Sequence, residues 1–472
     1  MKDSNYLISI FFITVFNFSF ALYSREMGDF VKDIPIQDFQ IELPKIDRFT
    51  KGNIHMHRLI QKEVPMVYGE WHISFGRRDL PESSLELSRL LEETWEFSGT
   101  KLFPKQKFLE QIESEGATLN LSIEADKTIL SFSYLKSKEE ILYPLILAFW
   151  NEPLLDSEVM ETMKKKIKEE IKRRNDNPNS IASRKSREFL FKGTYLGKSL
   201  DEKKLDRWTL ESLQNALKLL QKAEKRTLLL SGDVESSVWN DTYANWSGEG
   251  ESKNSEAALG PSLIEKNLVS IGGSGIQVTK ESSQSVIFLL GALPEHKHPD
   301  YYALKVLNYI LGGGGFNSFF MREIRNNRGL AYSAGSTSEF QETYGVIQFY
   351  AMTKNESVNE VRKLMEEMSA PEFVAKIQES ELERAKKAIQ NQFVFLFTDA
   401  RRILQNDLKF QEHQLGSDYL TKYRERINQV KLADLQRVAK IYLSKGKLKC
   451  LIVGPRTNMN DLKTLAPEDM IP

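Results

Sequence analysis

Two side chains able to grip a peptide carbonyl stand seven residues apart in the stretch 311–336, LGGGGFNSFFMREIRNNRGLAYSAGS: Arg325 and Tyr332. A guanidinium and a phenol can each donate a hydrogen bond to a carbonyl oxygen, and to the oxyanion that develops when water attacks it. Apolar spacing predicts an amphipathic helix over 316–326, a turn at Gly329 and a strand from Leu330. The two groups then sit on the arms of a corner able to aim both into a cleft. The alternative is structural, with Arg325 capping its helix C-terminus and Tyr332 filling core.

Other clusters offer weaker chemistry. Of six histidines, His55 and His57 share one face of a strand and His296 and His298 share the loop PEHKHPD; with His72 and His413 they read as exposed loop or strand histidines. The single cysteine, Cys450, lies in the apolar run KLKCLIVG and reads as a buried, unreactive thiol. One cysteine excludes an internal disulfide and any thiolate metal cluster. Glycines 312–315 read as a helix break rather than a phosphate cradle, because no GK[ST], GxGxxG or GxSxG context accompanies them.

The elements that must position these groups form two series. In the first, 53–75 reads as a hairpin broken near Glu63 to Pro65, followed by the helix LELSRLLEETWEF up to Gly99 and a helix opening at Pro104 and closing at Gly116. Two strands around Asp126, a helix over 138–150, a charged helix from Ser157 to a stop near Pro178, and the strand RTLLLSGDV complete it. Residues 235–261, rich in Gly, Ser, Glu and Asn, read as a linker. The strand QSVIFLLGAL, the helix DYYALKVLNYIL, the corner, the strand YGVIQFYAMTK, helices from Ser357, Phe373 and Lys431, and a last strand, KLKCLIVG, make the second series.

The series repeat one another. LESLQNALKLLQKAEKRTLLLSG resembles LADLQRVAKIYLSKGKLKCLIVG, with Leu213 to Gly232 and Leu435 to Gly454 equally separated, and FLEQIESEGATLNLS parallels FMREIRNNRGLAYSA. Two α+β halves of similar topology, each an antiparallel sheet with helices packed on it, account for this.

At 472 residues, 41% hydrophobic and 28% charged, the chain is globular and long enough for roughly two to three domains. Lys plus Arg and Asp plus Glu number 65 each, so no overall field favours nucleic acid or an anionic membrane. Lys2 precedes an apolar run over 7–22 that ends in Ser19-Phe20-Ala21, which reads as a secretory signal peptide over 1–21; the alternatives are an uncleaved anchor, or else a buried strand or helix.

The segment RNNRGLAY resembles the hallmark of the second half of M16 (pitrilysin/insulinase-type) peptidases, in which such an arginine and tyrosine help hold the substrate. The resemblance covers nearly the whole chain after the leader. It implies two homologous halves of LuxS/M16-like fold, over 44–234 and 262–460. In active members the first long helix carries HxxEH, whose histidines ligate zinc while its glutamate activates water, and a distant glutamate completes the site. Anchored on Gly99 and Thr100, the histidines fall on Leu90 and Thr94, the general base on Glu93 and the distal ligand on Glu170. Leu90 and Thr94 offer no imidazole, so the motif is degenerate and this chain is assigned no metal. Glu93 and Glu170 then read as ordinary glutamates on helix surfaces.

The segment GATLNLSIEADKT resembles the family's cleft-edge strand through Gly116, Asn120, Asp126 and Thr128, with Leu121 in place of the usual alanine. Asn120 would orient a carbonyl of a peptide added as an extra strand, or be satisfied within its own sheet. Some bacterial M16 peptidases pair an HxxEH subunit with one bearing only the Arg/Tyr pair. The resemblance thus implies a non-catalytic, substrate-binding subunit of an exported, periplasmic heterodimer acting on peptides or unfolded polypeptides. Zinc is expected in the HxxEH-bearing partner, and no membrane span remains after signal cleavage. The alternative is an inactive M16-fold binding or scaffold protein with no proteolytic partner.

Overall fold

The computed structural model describes residues 44–472 apart from 224, 246–258, 398, 414, 416–418, 458 and 470–472. The leader over 1–21 and most of the linker over 235–261 therefore lie outside the described residues. Among the described residues no helix is long and apolar enough to cross a membrane.

Two six-stranded sheets carry the fold. The first contains β1 (Asp47–Lys51), β2 (Ile54–Ile60), β3 (Met66–Ile73), β4 (Thr118–Ile123), β5 (Thr128–Leu135) and β6 (Arg226–Gly232), in the order β1-β2-β6-β3-β5-β4. The second contains β7 (Gly275–Thr279), β8 (Gln284–Leu293), β9 (Ala331–Phe340), β10 (Gly345–Lys354), β11 (Lys449–Gly454) and β12 (Leu462–Leu465), in the order β12-β7-β11-β8-β10-β9. From β2 to β4 and from β7 to β9 the orders match strand for strand, which is the repeat read in the sequence. Most pairings are antiparallel. The exceptions are β2 with β6, β7 with β11, and β7 with β12.

The hairpin expected over 53–75 does not form. Both of its strands exist, but β6 lies between them, parallel to β2 and antiparallel to β3. All seven residues of β6, RTLLLSG, are buried. A strand apolar on both faces gains most in a sheet interior, and this gain outweighs the local hairpin.

The helices are α1 (Leu85–Ser98), α2 (Gln106–Ser114), α3 (Glu139–Asn151), α4 (Ser157–Arg173), α5 (Pro178–Leu190) and α6 (Leu210–Gln221) in the first half. In the second they are α7 (Pro261–Ser270), α8 (Tyr301–Asn308), α9 (Val358–Ser369), α10 (Glu379–Gln392), α11 (Ala400–Glu412), α12 (Tyr419–Gln429) and α13 (Leu432–Tyr442). Ser84 caps α1 by accepting from the Leu87 N–H, and Gly99 ends it at φ +71°. Pro104 falls just before α2 rather than in its first turn. A short helix, Trp239–Asn245, occupies the start of the expected linker, because fully buried Trp239 stacks on Phe132 and meets Trp71 edge-on.

The halves brace each other reciprocally. Leu228 and Leu230 of β6 face a core shared with α1, α3 and α6, while Leu229, pointing the other way, packs under Ile403, Leu404 and Leu408 of α11. In return, Ile181, Ala182, Phe189 and Leu190 of α5 pack against Val286, Phe288 and Leu290 of β8 in the second sheet. Each fully buried aliphatic chain contributes roughly 1.5–3 kcal/mol. This exchange was not legible in the sequence, where each half was read as self-contained.

Candidate functional site

The site begins on α1, which packs against α4. Leu90 and Thr94, one turn apart, are fully buried, and the Thr94 hydroxyl finds no hydrogen-bond partner. Glu93 is not the surface residue expected from the sequence, being 3% exposed. Burial of a carboxylate demands compensation, and two cations supply it: Arg89 Nη2 at 2.6 Å and Lys166 Nζ at 2.7 Å. The same guanidinium lies 3.8 Å from Glu170, which is exposed as expected.

Two side-chain charges thus stand beside Glu93, the formal charge a zinc ion would bring. With no imidazole and with cations already on the carboxylate, these residues do not fit zinc. Among the described residues no group of three or more His, Cys, Asp or Glu is arranged to hold a metal. Arg89 was missed, although its spacing to Glu93 is the i, i+4 spacing of a helical ion pair. Lys166 lies 73 positions away and left no local signal.

The Arg325 corner departs from the regular helix expected over 316–326. A 3-10 turn (Gly315–Asn317) leads to a π-helical segment, Met321–Asn327, with Arg325 in its last turn. Gly329, at φ +64°, closes the segment: its N–H bonds the Arg325 carbonyl at 3.0 Å and the next N–H, of Leu330, bonds the Ile324 carbonyl at 2.9 Å. The chain then enters β9. Ser333 pairs with Met352 and Ala331 with Thr353, which leaves Tyr332 as the extra residue of a β-bulge.

Tyr332 is 76% exposed, so it does not fill core. Arg325 is half-buried, with its guanidinium 5.4 Å from the ring centre of exposed Phe316 and 4.0 Å from Met321 Sδ. Among the described residues no carboxylate pairs with it. Phe316 had not been singled out in the sequence; its place nine residues before Arg325 gave no helical register. Gly312 is buried where an added Cβ would meet the Ser336 N at 2.4 Å, so the glycine run serves close packing of a helix end on β9.

β4 and β9 are both edge strands. In β4 the Glu124 N–H bonds the Lys127 carbonyl, and ladder alternation then turns the N–H and C=O groups of Leu119 and Leu121 away from β5. No backbone partner meets them among the described residues. Their neighbour Ile123 has its N–H capped by Glu92 at 2.7 Å. Asn120 is exposed on the face opposite Leu121, and lines a cleft of about 80 Å³ with Glu70 and Arg401.

That cleft adjoins a network absent from the sequence reading. Glu70 accepts from Arg401 Nε at 2.6 Å and Gln405 Nε2 at 2.8 Å, and lies 3.0 Å from His72 Nε2. Burial pushes the Glu70 carboxyl up, but His72 and Arg401 together hold it below the ordinary range. Asp407 of α11 likewise lies 3.0 Å from His57 Nδ1 and from Arg48 Nε. His57 and His72 are therefore buried partners of carboxylates, His57 of Asp407 in the other half and His72 of Glu70 on its own strand, not the exposed histidines expected. Cys450 is 1% exposed, and burial pushes its thiol up to about 12.

Residues 73–241 match the family model described as Insulinase (Peptidase family M16), and residues 207–389 match that described as Peptidase M16 inactive domain. The chain is similar to a Bacillus subtilis protein called uncharacterized zinc protease YmxG, 23% identical over 392 residues, 81% of this chain and 91% of that one. It is 22% identical over 346 residues to a Helicobacter pylori protein called non-peptidase homolog YmxG, covering 69% of this chain and 77% of that one. A crystal structure described as a peptidase M16 inactive domain from Pseudomonas fluorescens shares the fold, with a TM-score of 0.71 at 18% identity over 88% of this chain and 99% of that one.

Proposed function

This chain belongs to the M16 peptidase family, and on that premise we propose that it is the non-catalytic, substrate-binding subunit of a heterodimeric zinc metallopeptidase. Zinc and the general base come from an HxxEH-bearing partner. This chain supplies Arg325 and Tyr332 to hold a peptide carbonyl and its oxyanion. Peptides or unfolded polypeptides lie against the β4 edge, with Asn120 orienting a carbonyl. The apolar leader supports export, with the periplasm as the site of action.

The observation that carries this reading is the contrast between two corners. The Glu93 carboxylate is closed by Arg89 and Lys166, whereas Arg325 has no carboxylate partner among the described residues and Tyr332 stands in solvent on a bulge. A core filler or a helix cap needs neither feature. The name non-peptidase homolog given to the Helicobacter pylori relative fits a chain that does not cleave alone. It fits equally a scaffold without a proteolytic partner. Recovery of an HxxEH protein with the native chain from an extract supports the first reading. Repeated recovery of the chain with no M16 partner, and no gain in peptide cleavage on adding one, favours the scaffold.

A further inference from the structure

The largest cavity among those described lies in the second half and measures about 390 Å³, within the size range of small-ligand clefts. α8, α10, α11 and the far end of β9 enclose it. Among the described residues that line it, Lys305 and Lys409 stand with His296 and His413 and none is acidic, the Glu342 carboxylate being close enough to act on His413. Among the described residues no carboxylate hydrogen-bonds or pairs with Lys305; its ammonium lies 5.9 Å from the ring centre of Tyr301. Burial, then the charge of Lys409, pull its pKa down. An ammonium held this way costs stability that an anion would restore.

The imidazoles are a second, independent observation. Their ring centres lie 4.4 Å apart, and burial first, then His296 and Lys409 against the opposing pull of Glu342, pushes His413 down to about 4, so it is neutral at pH 7. His296 Nδ1 lies 3.1 Å from the Gln341 carbonyl and so donates to it, which in the neutral ring leaves Nε2 as the acceptor. That Nε2 and the Nδ1 of His413 are buried with no hydrogen-bond partner among the described residues. Buried polar atoms without partners are rare and call for an explanation. The rest of the wall mixes aromatic rings, Phe340, Phe393 and Phe410 among them, with the amides of Asn308, Gln392 and Asn406.

A cation pair, an orphaned acceptor and aromatic faces specify three features in one ligand: a carboxylate, an N–H donor and an apolar ring. We infer that this cavity binds the C-terminal residue of a peptide, carboxylate on Lys305 and Lys409, amide N–H toward His296, and a large apolar side chain between the aromatic rings. The inference stands apart from the Arg325 and Tyr332 clamp and does not need a catalytic partner.

The test is calorimetric titration of the full chain at pH 7 with a hexapeptide ending in phenylalanine, as the free acid and as the C-terminal amide, and with N-acetylphenylalanine. The free acid should bind about tenfold or more tightly than the amide, since a charge-assisted contact is lost. Lys305→Met should weaken the acid by a similar factor of about ten while leaving ligand-free melting unchanged or higher, because it removes a partly buried cation with no carboxylate partner among the described residues. Lys409→Met, at an exposed position, should fold normally and weaken it by about threefold. Equal binding of acid and amide, binding of N-acetylphenylalanine but not the peptide, or no binding of any of them would overturn the proposal.

Discussion

Replacing Arg89 and Lys166 by methionine, singly and together, tests whether these two cations compensate the buried Glu93 carboxylate. The Glu93 side chain is 5% exposed, whereas those of Arg89 and Lys166 are 36% and 48% exposed. Each cation alone is a half-solvated partner, and while the other remains its loss should cost about 1 kcal/mol. Removing both strands a buried carboxylate, and the cost should rise to about 3 kcal/mol, the lower end for broken buried pairs because the cations were screened. The two losses are thus non-additive by roughly 1 kcal/mol. Adding Glu93→Gln to the double variant should recover most of that excess, since no charge then needs compensation. Equilibrium urea unfolding followed by circular dichroism measures all four free energies. A double variant within about 0.5 kcal/mol of the parent, or strictly additive single losses, would refute the reasoning.

Restoring imidazoles alone should not restore the metal: Leu90→His with Thr94→His should bind no stoichiometric zinc by elemental analysis, because Arg89 and Lys166 still hold Glu93. Arg325→Ala and Tyr332→Phe should each change the stability of the isolated chain by no more than about 0.5 kcal/mol, given the exposure of their surroundings, as read by thermal melting. Glu70 and Asp407 both have folded pKa values held below the ordinary range, despite burial, by His72 with Arg401 and by His57 with Arg48. Their contribution is therefore complete above the unfolded carboxylate value of about 4 and is lost as pH falls through the folded value. Asp407→Asn should consequently destabilise the chain at pH 7 more than at pH 3 in the same unfolding assay. Cys450, buried and with its thiol at about 12, should resist iodoacetamide at pH 8 until the chain is unfolded, as mass spectrometry would read.

What the sequence disclosed was mostly local. The corner at Gly329 was legible because a positive φ is a demand one glycine answers. The repeat was legible because duplicated helix and strand pairs keep their spacing, and they do occupy matching places in the two sheets. What escaped was non-local. The hairpin over 53–75 failed because β6, far along the chain, competes for both strands. α11 was not found because the apolar stripe of Ile403, Leu404 and Leu408 is matched by Leu59 and Leu229 in the other half. Glu93 looked like any helical surface carboxylate until Lys166 was brought to it, and His57 like any strand histidine until Asp407 was. The π-helical form of Met321–Asn327 left no trace in apolar spacing.

The most direct measurement is peptide hydrolysis by this chain alone, by an HxxEH-bearing M16 partner alone, and by the two together, with and without a chelator. Chelator-sensitive cleavage should appear only in the mixture, and Arg325→Ala combined with Tyr332→Phe should lower its turnover by about 10² or more while the two chains still co-elute. Cleavage by the lone chain, or undiminished turnover in the doubly substituted complex, would contradict the assignment.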